Sequence, residues 1–274
     1  MSLSSRREQP RPSLPTAPRG LRTAGDTATA VARAFAEIAL TFYAQPTVEA
    51  TVDTILRHAV TVLDGCDRAG IWLARRGGRI QTRAGTDDTV LHLDELQYLL
   101  GEGPSVDAIR QRRNLVAPDL ASDPRWPRYG PEAVAGGTRA MLSFCLFTEQ
   151  QMHGVLNLYA DRAHALGGAT ERLGQVFASH AAIALAAARD RDQLRQAIHG
   201  RQVIGEALGV LKEREGLTSE QAFEVLRKAS QDLNIKLREL AAHVAYTGEH
   251  PADMTGTPSL QPPRGAARTS SPIG

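Results

Sequence analysis

The sequence predicts an α+β fold followed by a small all-α unit. Three observations carry this: helical spacing of apolar residues over 26–62, short β-rich runs occurring in pairs over 69–84 and 141–159, and a return to helical spacing from 168 to 248.

Taken in order, Val31, Ala34, Phe35, Ile38 and Phe42 fall at three- and four-residue intervals on one helix face, and Pro46 ends the run. Thr47 supplies an N-cap for a second helix through Val48, Val52, Ile55, Ala59 and Val62, with Gly65 as its C-terminal stop. Residues 69–74 (AGIWLA) and 79–84 read as strands joined by a hairpin turn at 75–78 (RRGG). Residues 141–147 (MLSFCLF) and 154–159 (GVLNLY) make a second hairpin across a polar turn at 149–152. The Pro- and Gly-rich stretch between the hairpins holds short helical pieces near 94–100 and 105–112.

After Gly168 a long helical pattern runs to Arg214, with Leu173, Val176, Phe177, His180, Ile183, Ala184, Ala187, Leu194 and Ile198 on one continuous seam and Arg191 and Arg201 at polar interruptions. A helix of ~70 Å, at ~1.5 Å per residue, is too long for one small domain to cover, so the seam is expected to pair with a second chain as a homodimer. Two helices broken near Gly200 are the alternative. Beyond Gly216, Thr218 and Gln221 form a capping box for a helix striped by Ala222, Phe223, Leu226, Ala229 and Leu233. A last helix carries Leu237, Leu240, Ala241 and Val244 and stops near Gly248.

Composition narrows the class. A chain of 274 residues that is 42% apolar and 23% charged is globular over most of its length. No run reaches the ~20 apolar residues of a membrane span, and Arg6-Arg7 precedes no apolar stretch, so a cytoplasmic location is expected. Cys66 and Cys145 stand far apart with no CxxC or metal-type His spacing, which reads as two core thiols. The Pro-rich segments 1–24, with five Arg against one acid, and 249–274 lack apolar periodicity and read as disordered tails. Catalytic signatures are wanting: there is no GxSxG, no HExxH, and no Ser, His and Asp set placed together, so no enzyme is expected.

Several motifs agree in order and spacing with known families. LGEGPS (100–105), APDLASDPRWPRYGP (117–131), SFCLF and GVLNLYA make residues 25–190 resemble a GAF domain, especially of the actinobacterial kind. Val203, Ile204, Ala207, Leu208, Gly209, Leu211, Arg214, Gly216, Ala222, Leu226, Ser230, Asn234, Leu237 and Ala241 make residues 191–248 resemble an ANTAR domain. Leu208 and Lys212 stand where ANTAR sequences usually have Lys and Met, and Ser105 stands where this GAF subgroup often has Cys. The resemblance implies a GAF antiparallel sheet with flanking helices as a sensor. It also implies an output domain that binds RNA hairpin loops to prevent transcription termination, touching RNA polymerase only indirectly.

Candidate site residues follow from chemistry as well. Arg227, Lys228, Lys236 and Arg238 put cations on the last two helices, where RNA phosphates would need them. Ser230, Gln231 and Asn234 supply polar groups at the junction, suited to loop bases. For a sensory ligand, Trp72, Phe144 and Tyr159 are candidates to line a hollow beside the sheet, with Trp126 pinning a loop. No cofactor is identified: His58, His92, His153 and His180 show no haem-ligand spacing, and GEGP is followed by no GK[ST]. An alternative function stays open, a GAF ligand or redox sensor whose C-terminal helices serve only for dimerisation or partner docking.

Overall fold

The computed structural model describes residues 24–74, 80–149 and 151–254. The chain divides into two compact units, with the division between Ala188 and Arg189. The basic N-terminal tail and the 75–78 turn lie outside the described residues, as do 255–274 and Gln150 of the 149–152 turn.

In the first unit, α1 (Ala24–Tyr43) turns Phe35, Ile38 and Phe42 inward and leaves Val31 and Ala34 exposed. Helix α2 (Val48–Val62) begins where Thr47 Oγ1 accepts the Ala50 N–H at 3.1 Å. It ends one turn before Gly65, whose φ of +78° redirects the chain; a Cβ there would collide with the Ala165 carbonyl.

Five strands form one antiparallel sheet: β1 (Arg68–Ala74), β2 (Ile80–Gly85), β3 (Leu115–Ala117), β4 (Ala140–Phe147) and β5 (Met152–Ala160), in the order β2-β1-β5-β4-β3. Both faces are covered, so the inner strands are mostly apolar on both sides, with Ser143, His153 and Asn157 as buried polar exceptions. Ile71, Leu142, Phe144, Leu156 and Leu158 meet α1, α2 and the start of the long helix on one face. Trp72, Met141, Cys145, Val155 and Tyr159 point the other way, into a second core shared with α3 (Asp88–Leu100), α4 (Pro104–Gln111) and α5 (Tyr129–Ala135). The sequence pattern misses β3, only three residues long, and α5, which opens on Tyr-Gly-Pro and has too few turns to show a period.

Helix α6 (Gly168–Glu215) is unbroken at Gly200. Its sequence-predicted seam, however, is two stripes. Leu173, Phe177 and Ala184 face the first core with Ala178, Ala181 and Leu185, while Val176 and Ile183 are exposed and His180 half-exposed on another side. Leu194 and Ile198 are exposed in the second unit. The correction has a simple cause: an alanine-rich helix is apolar on more than one side, so spacing alone cannot say which stripe is buried.

The second unit packs the 189–215 stretch of α6 with α7 (Ser219–Asp232) and α8 (Leu237–Thr247) around Ala207, Leu211, Ala222, Leu226, Leu240, Ala241 and Val244. Residues 249–254, read from sequence as the start of the tail, instead form a 3-10 turn (Pro251–Met254) with Pro251 buried and Met254 against this core.

Candidate nucleic-acid interface

The three-helix unit is built from local chemistry that positions its polar groups. Thr218 Oγ1 accepts the Gln221 N–H at 3.2 Å while Gln221 Oε1 accepts the Thr218 N–H at 2.9 Å, closing the capping box that starts α7. Between α7 and α8 the chain reverses through Asn234, held at φ +51°, a conformation Asn tolerates better than most residues. Ser230 Oγ donates to the Ile235 carbonyl at 2.6 Å, and the Ile235 N–H donates to the Ser230 carbonyl at 3.1 Å. Ser230 and Asn234 therefore shape the junction itself; the Asn234 side chain is exposed there.

The cations predicted from sequence are all exposed, but most are already engaged. Arg227 grips Glu224 through Nε at 3.0 Å and a terminal nitrogen at 2.6 Å, and reaches Gln231 Oε1 at 3.3 Å. That guanidinium holds the Glu224 carboxyl below its ordinary range, and the carboxylate in turn raises Arg227. Lys236 at 3.6 Å and Arg238 at 4.0 Å both lean on Glu239. Lys228 carries no ion pair among the described residues. Leu208 is half-buried against the unit's core, and Lys212 is exposed, its Nζ donating to Ser219 Oγ at 3.0 Å. The two glutamates were not foreseen as participants. Their signal was the i,i+3 spacing of opposite charges in Glu224/Arg227 and Lys236/Glu239.

In the first unit the three candidate lining residues are not brought together. Trp72 and Tyr159 belong to the core with α3–α5, whereas Phe144 lies on the opposite face of the sheet, its ring against Gly174. Register explains it: Phe144 pairs with Leu156, Tyr159 with Met141, and faces alternate along a strand. The side occupied by Trp72 and Tyr159 contains a buried polar layer. Asp94 of α3 accepts from the Tyr159 hydroxyl and from Asn157 Nδ2 at 3.1 Å, and Ser143 Oγ donates to Asn157 Oδ1 at 2.9 Å. Burial first, and Asp94 next, push the Tyr129 and Tyr159 hydroxyls well above their usual range, so both remain protonated donors. Trp72 Nε1, Gln97 Nε2 and Ser105 Oγ are buried without a hydrogen-bond partner among the described residues. Ser143 and Asn157, each polar inside an apolar strand, were the readable trace of this layer.

Two motifs interlock above it. Glu102 Oε1 accepts the Arg128 and Tyr129 N–H groups at 2.7 and 2.9 Å, capping α5 from another loop. Trp126 Nε1 donates to Asp107 Oδ2 at 2.9 Å, and Arg125 stacks on the Trp126 ring at 4.2 Å. The sequence reading of Trp126 as the pin of its loop agrees with this geometry.

Residues 45–186 match the model of the GAF domain, more than half of the chain, and residues 192–244 match the ANTAR domain. The chain belongs to the GAF and ANTAR domain proteins. No curated protein matches it in sequence. Among solved structures, the photosensory core module of a Stigmatella aurantiaca phytochrome is 14% identical, covering 78% of this chain and 46% of that one, with a TM-score of 0.50. The GAF domain of an Acinetobacter phosphoenolpyruvate-protein phosphotransferase is 12% identical over 60% of this chain and 98% of that one, TM-score 0.46. A free methionine-R-sulfoxide reductase from Neisseria meningitidis, solved with its substrate, is 16% identical over 61% and 95%, TM-score 0.44. At such identities the likeness concerns fold alone. In the GAF and ANTAR protein, α1 lies ahead of the GAF match, and α6 begins inside it and continues into the ANTAR match. No helix among the described residues is long and apolar enough to cross a membrane.

Proposed function

We propose that this is a cytoplasmic, non-catalytic regulator: a homodimeric transcription antiterminator in which residues 191–248 bind RNA hairpin loops and residues 25–190 sense a signal. The observation that carries it is the ANTAR match falling on a three-helix unit whose α7–α8 segment offers four exposed cations around a polar junction. Arg227, Lys228, Lys236 and Arg238 meet phosphates; Asn234, exposed at the turn, reaches bases, and Ser230 holds the turn in place. RNA polymerase is affected through the RNA structure. Trp72 and Tyr159 flank the sensory ligand, for which the unpartnered Trp72, Gln97 and Ser105 atoms supply polar contacts; Phe144 has no part in it. Leu194 and Ile198, exposed on α6, contribute to the dimer.

Salt titration of the full chain on a hairpin-loop RNA tests this. Affinity that falls steeply with salt and changes with loop sequence is the expected result. A second reading, a helical end that only dimerises or docks a partner, is favoured by the Glu224 and Glu239 contacts, two carboxylates that engage three of the four cations. Equal weak binding to any polyanion would establish that second reading and end the first.

A further inference from the structure

Helix α7 carries an aromatic side chain that its core does not absorb. Apolar spacing groups Phe223 with Ala222, Leu226, Ala229 and Leu233, yet Ala222 and Leu226 are buried whereas Phe223 is 37% exposed. Successive residues turn by ~100° around a helix, so the residue after a buried alanine is carried away from the core. Residues four apart share one inclined row of a helix surface, and the row through Phe223 reads Ser219, Phe223, Arg227 and Gln231, all exposed. A cation stands on each side of the ring. Arg227, one turn further along, bonds Gln231 Oε1 at 3.3 Å. Lys212, exposed on α6, donates from Nζ to Ser219 Oγ at 3.0 Å, one turn before the ring.

We infer that Phe223 is the stacking platform for one unpaired base of the RNA loop, with Lys212 and Arg227 holding the phosphates on either side of that base. The inference rests on the RNA-binding reading above and adds the group that meets a base face. Three features select a nucleotide as the occupant. The ring is held along part of its surface and open along the rest, so it can receive a base with little further loss of side-chain freedom. The row has one group for each part of a nucleotide: ammonium and guanidinium for phosphate, ring for base face, and the Gln231 amide for base edge. From Ser219 to Gln231 it runs ~18 Å, the length of about five stacked nucleotides at ~3.4 Å each, which suits a hairpin loop. An apolar protein partner would find a single ring among polar side chains. Glu224 competes for Arg227, but Lys212 pairs with no carboxylate among the described residues.

Titration of the full chain with a labelled hairpin-loop RNA at several salt concentrations tests it. Phe223→Ala and Phe223→Leu each weaken binding about ten-fold while Phe223→Tyr keeps wild-type affinity, because stacking needs a ring and not only apolar volume. The slope of log affinity against log salt stays at its wild-type value in Phe223→Ala and falls by about one in Lys212→Gln, which removes a phosphate contact. Deleting one loop base, with its sugar and phosphate kept, weakens binding of wild type and has no further effect on Phe223→Ala. Phe223→Trp gives a direct readout that does not depend on how the alanine variant folds. Trp72 and Trp126 are buried, so acrylamide quenches chiefly the introduced indole, and bound RNA shields it. A wild type that binds no hairpin overturns the RNA reading and this inference together. A wild type that binds, with Phe223→Ala or Phe223→Leu equal to it or with the introduced indole still quenched in the complex, overturns this inference alone.

Discussion

At the scale of single residues, carboxylates organise both units more than the cation pattern suggests. Glu102 is half-buried and caps α5 from another loop, and Arg128 at the N-cap position makes no cap bond of its own. Glu102→Ala leaves two helix N–H groups without that acceptor and should cost about 2 kcal/mol of stability, measured by denaturant unfolding, while Glu102→Gln retains most of it. Glu224 and Glu239 act differently. They occupy the guanidinium and ammonium groups that RNA phosphates would use, and Glu224 does so in the bidentate geometry that phosphate itself prefers. Exposed pairs of this type are weak, so phosphates can displace them, but each displacement lowers the net gain from non-specific contact. Glu224→Gln with Glu239→Gln is therefore expected to raise affinity for unrelated hairpins and for heparin about ten-fold and to reduce discrimination between loop sequences. Unchanged elution from a heparin column would show that these carboxylates do not compete for anions. The two cysteines are inert by the same kind of local argument: burial pushes Cys66 up to about 12 and Cys145 up to about 11. Thiol titration at pH 8 should proceed slowly in the native protein and rapidly in denaturant.

At the scale of elements, what could be read in the sequence was whatever local chemistry decides. Thr47 and the Thr218/Gln221 box mark helix starts with side-chain oxygens that accept backbone N–H groups, and the structure has those bonds. The two long hairpin strands announced themselves by length and β-branched or aromatic content. Elements fixed by distant partners were not legible: α5 is capped by a glutamate twenty-six residues earlier in the chain, and β3 exists because Leu115 and Ala117 pair with Ser143 and Met141. The candidate site divides along the same line. Its cations lie in the sequence pattern, but the carboxylates that hold them and the opposite placement of Phe144 are products of helix phase and strand register. Helix α6 gives a direct test of neighbour against propensity. A Cβ on Gly174 would stand 2.6 Å from the Phe144 ring, whereas Gly200 and Gly205 face open space. Gly174→Ala should destabilise by about 1–3 kcal/mol through overpacking despite its better helix propensity. Gly200→Ala and Gly205→Ala should each stabilise by about 0.5–1 kcal/mol, read from thermal unfolding. A stabilising Gly174→Ala would mean that Phe144 moves aside freely.

At the scale of the whole molecule, the consequence of pairing two chains is arithmetic on affinity. If the chain pairs and binds RNA as proposed, a dimer holds two ANTAR units, and once one has engaged an RNA hairpin the second meets a hairpin on the same RNA at an effective concentration in the millimolar range, provided the connecting RNA can span the distance. No new contact is needed for affinity to rise by a factor of ~100 or more. A monomer binds each hairpin separately and gains nothing from the second. Leu194→Asp with Ile198→Asp, at two exposed positions of α6, changes no residue of the α7–α8 segment, so its effect on one isolated hairpin should be nil. On an RNA carrying two copies of that hairpin joined by a flexible linker, the same variant should bind ~10–100-fold more weakly than wild type. The comparison separates pairing from recognition. Equal losses on one and two hairpins would mean that the substitutions damage the ANTAR unit itself. Full affinity for the two-hairpin RNA in a demonstrably monomeric variant would show that two ANTAR units do not act together. A signal received by the GAF unit could then change output through the same equilibrium, since a ligand that favours the paired or unpaired state shifts it by its differential affinity for the two. With a ~100-fold avidity factor, a shift of about 1.4 kcal/mol in dimerisation, ten-fold in the constant, is enough to change occupancy of a two-hairpin RNA measurably.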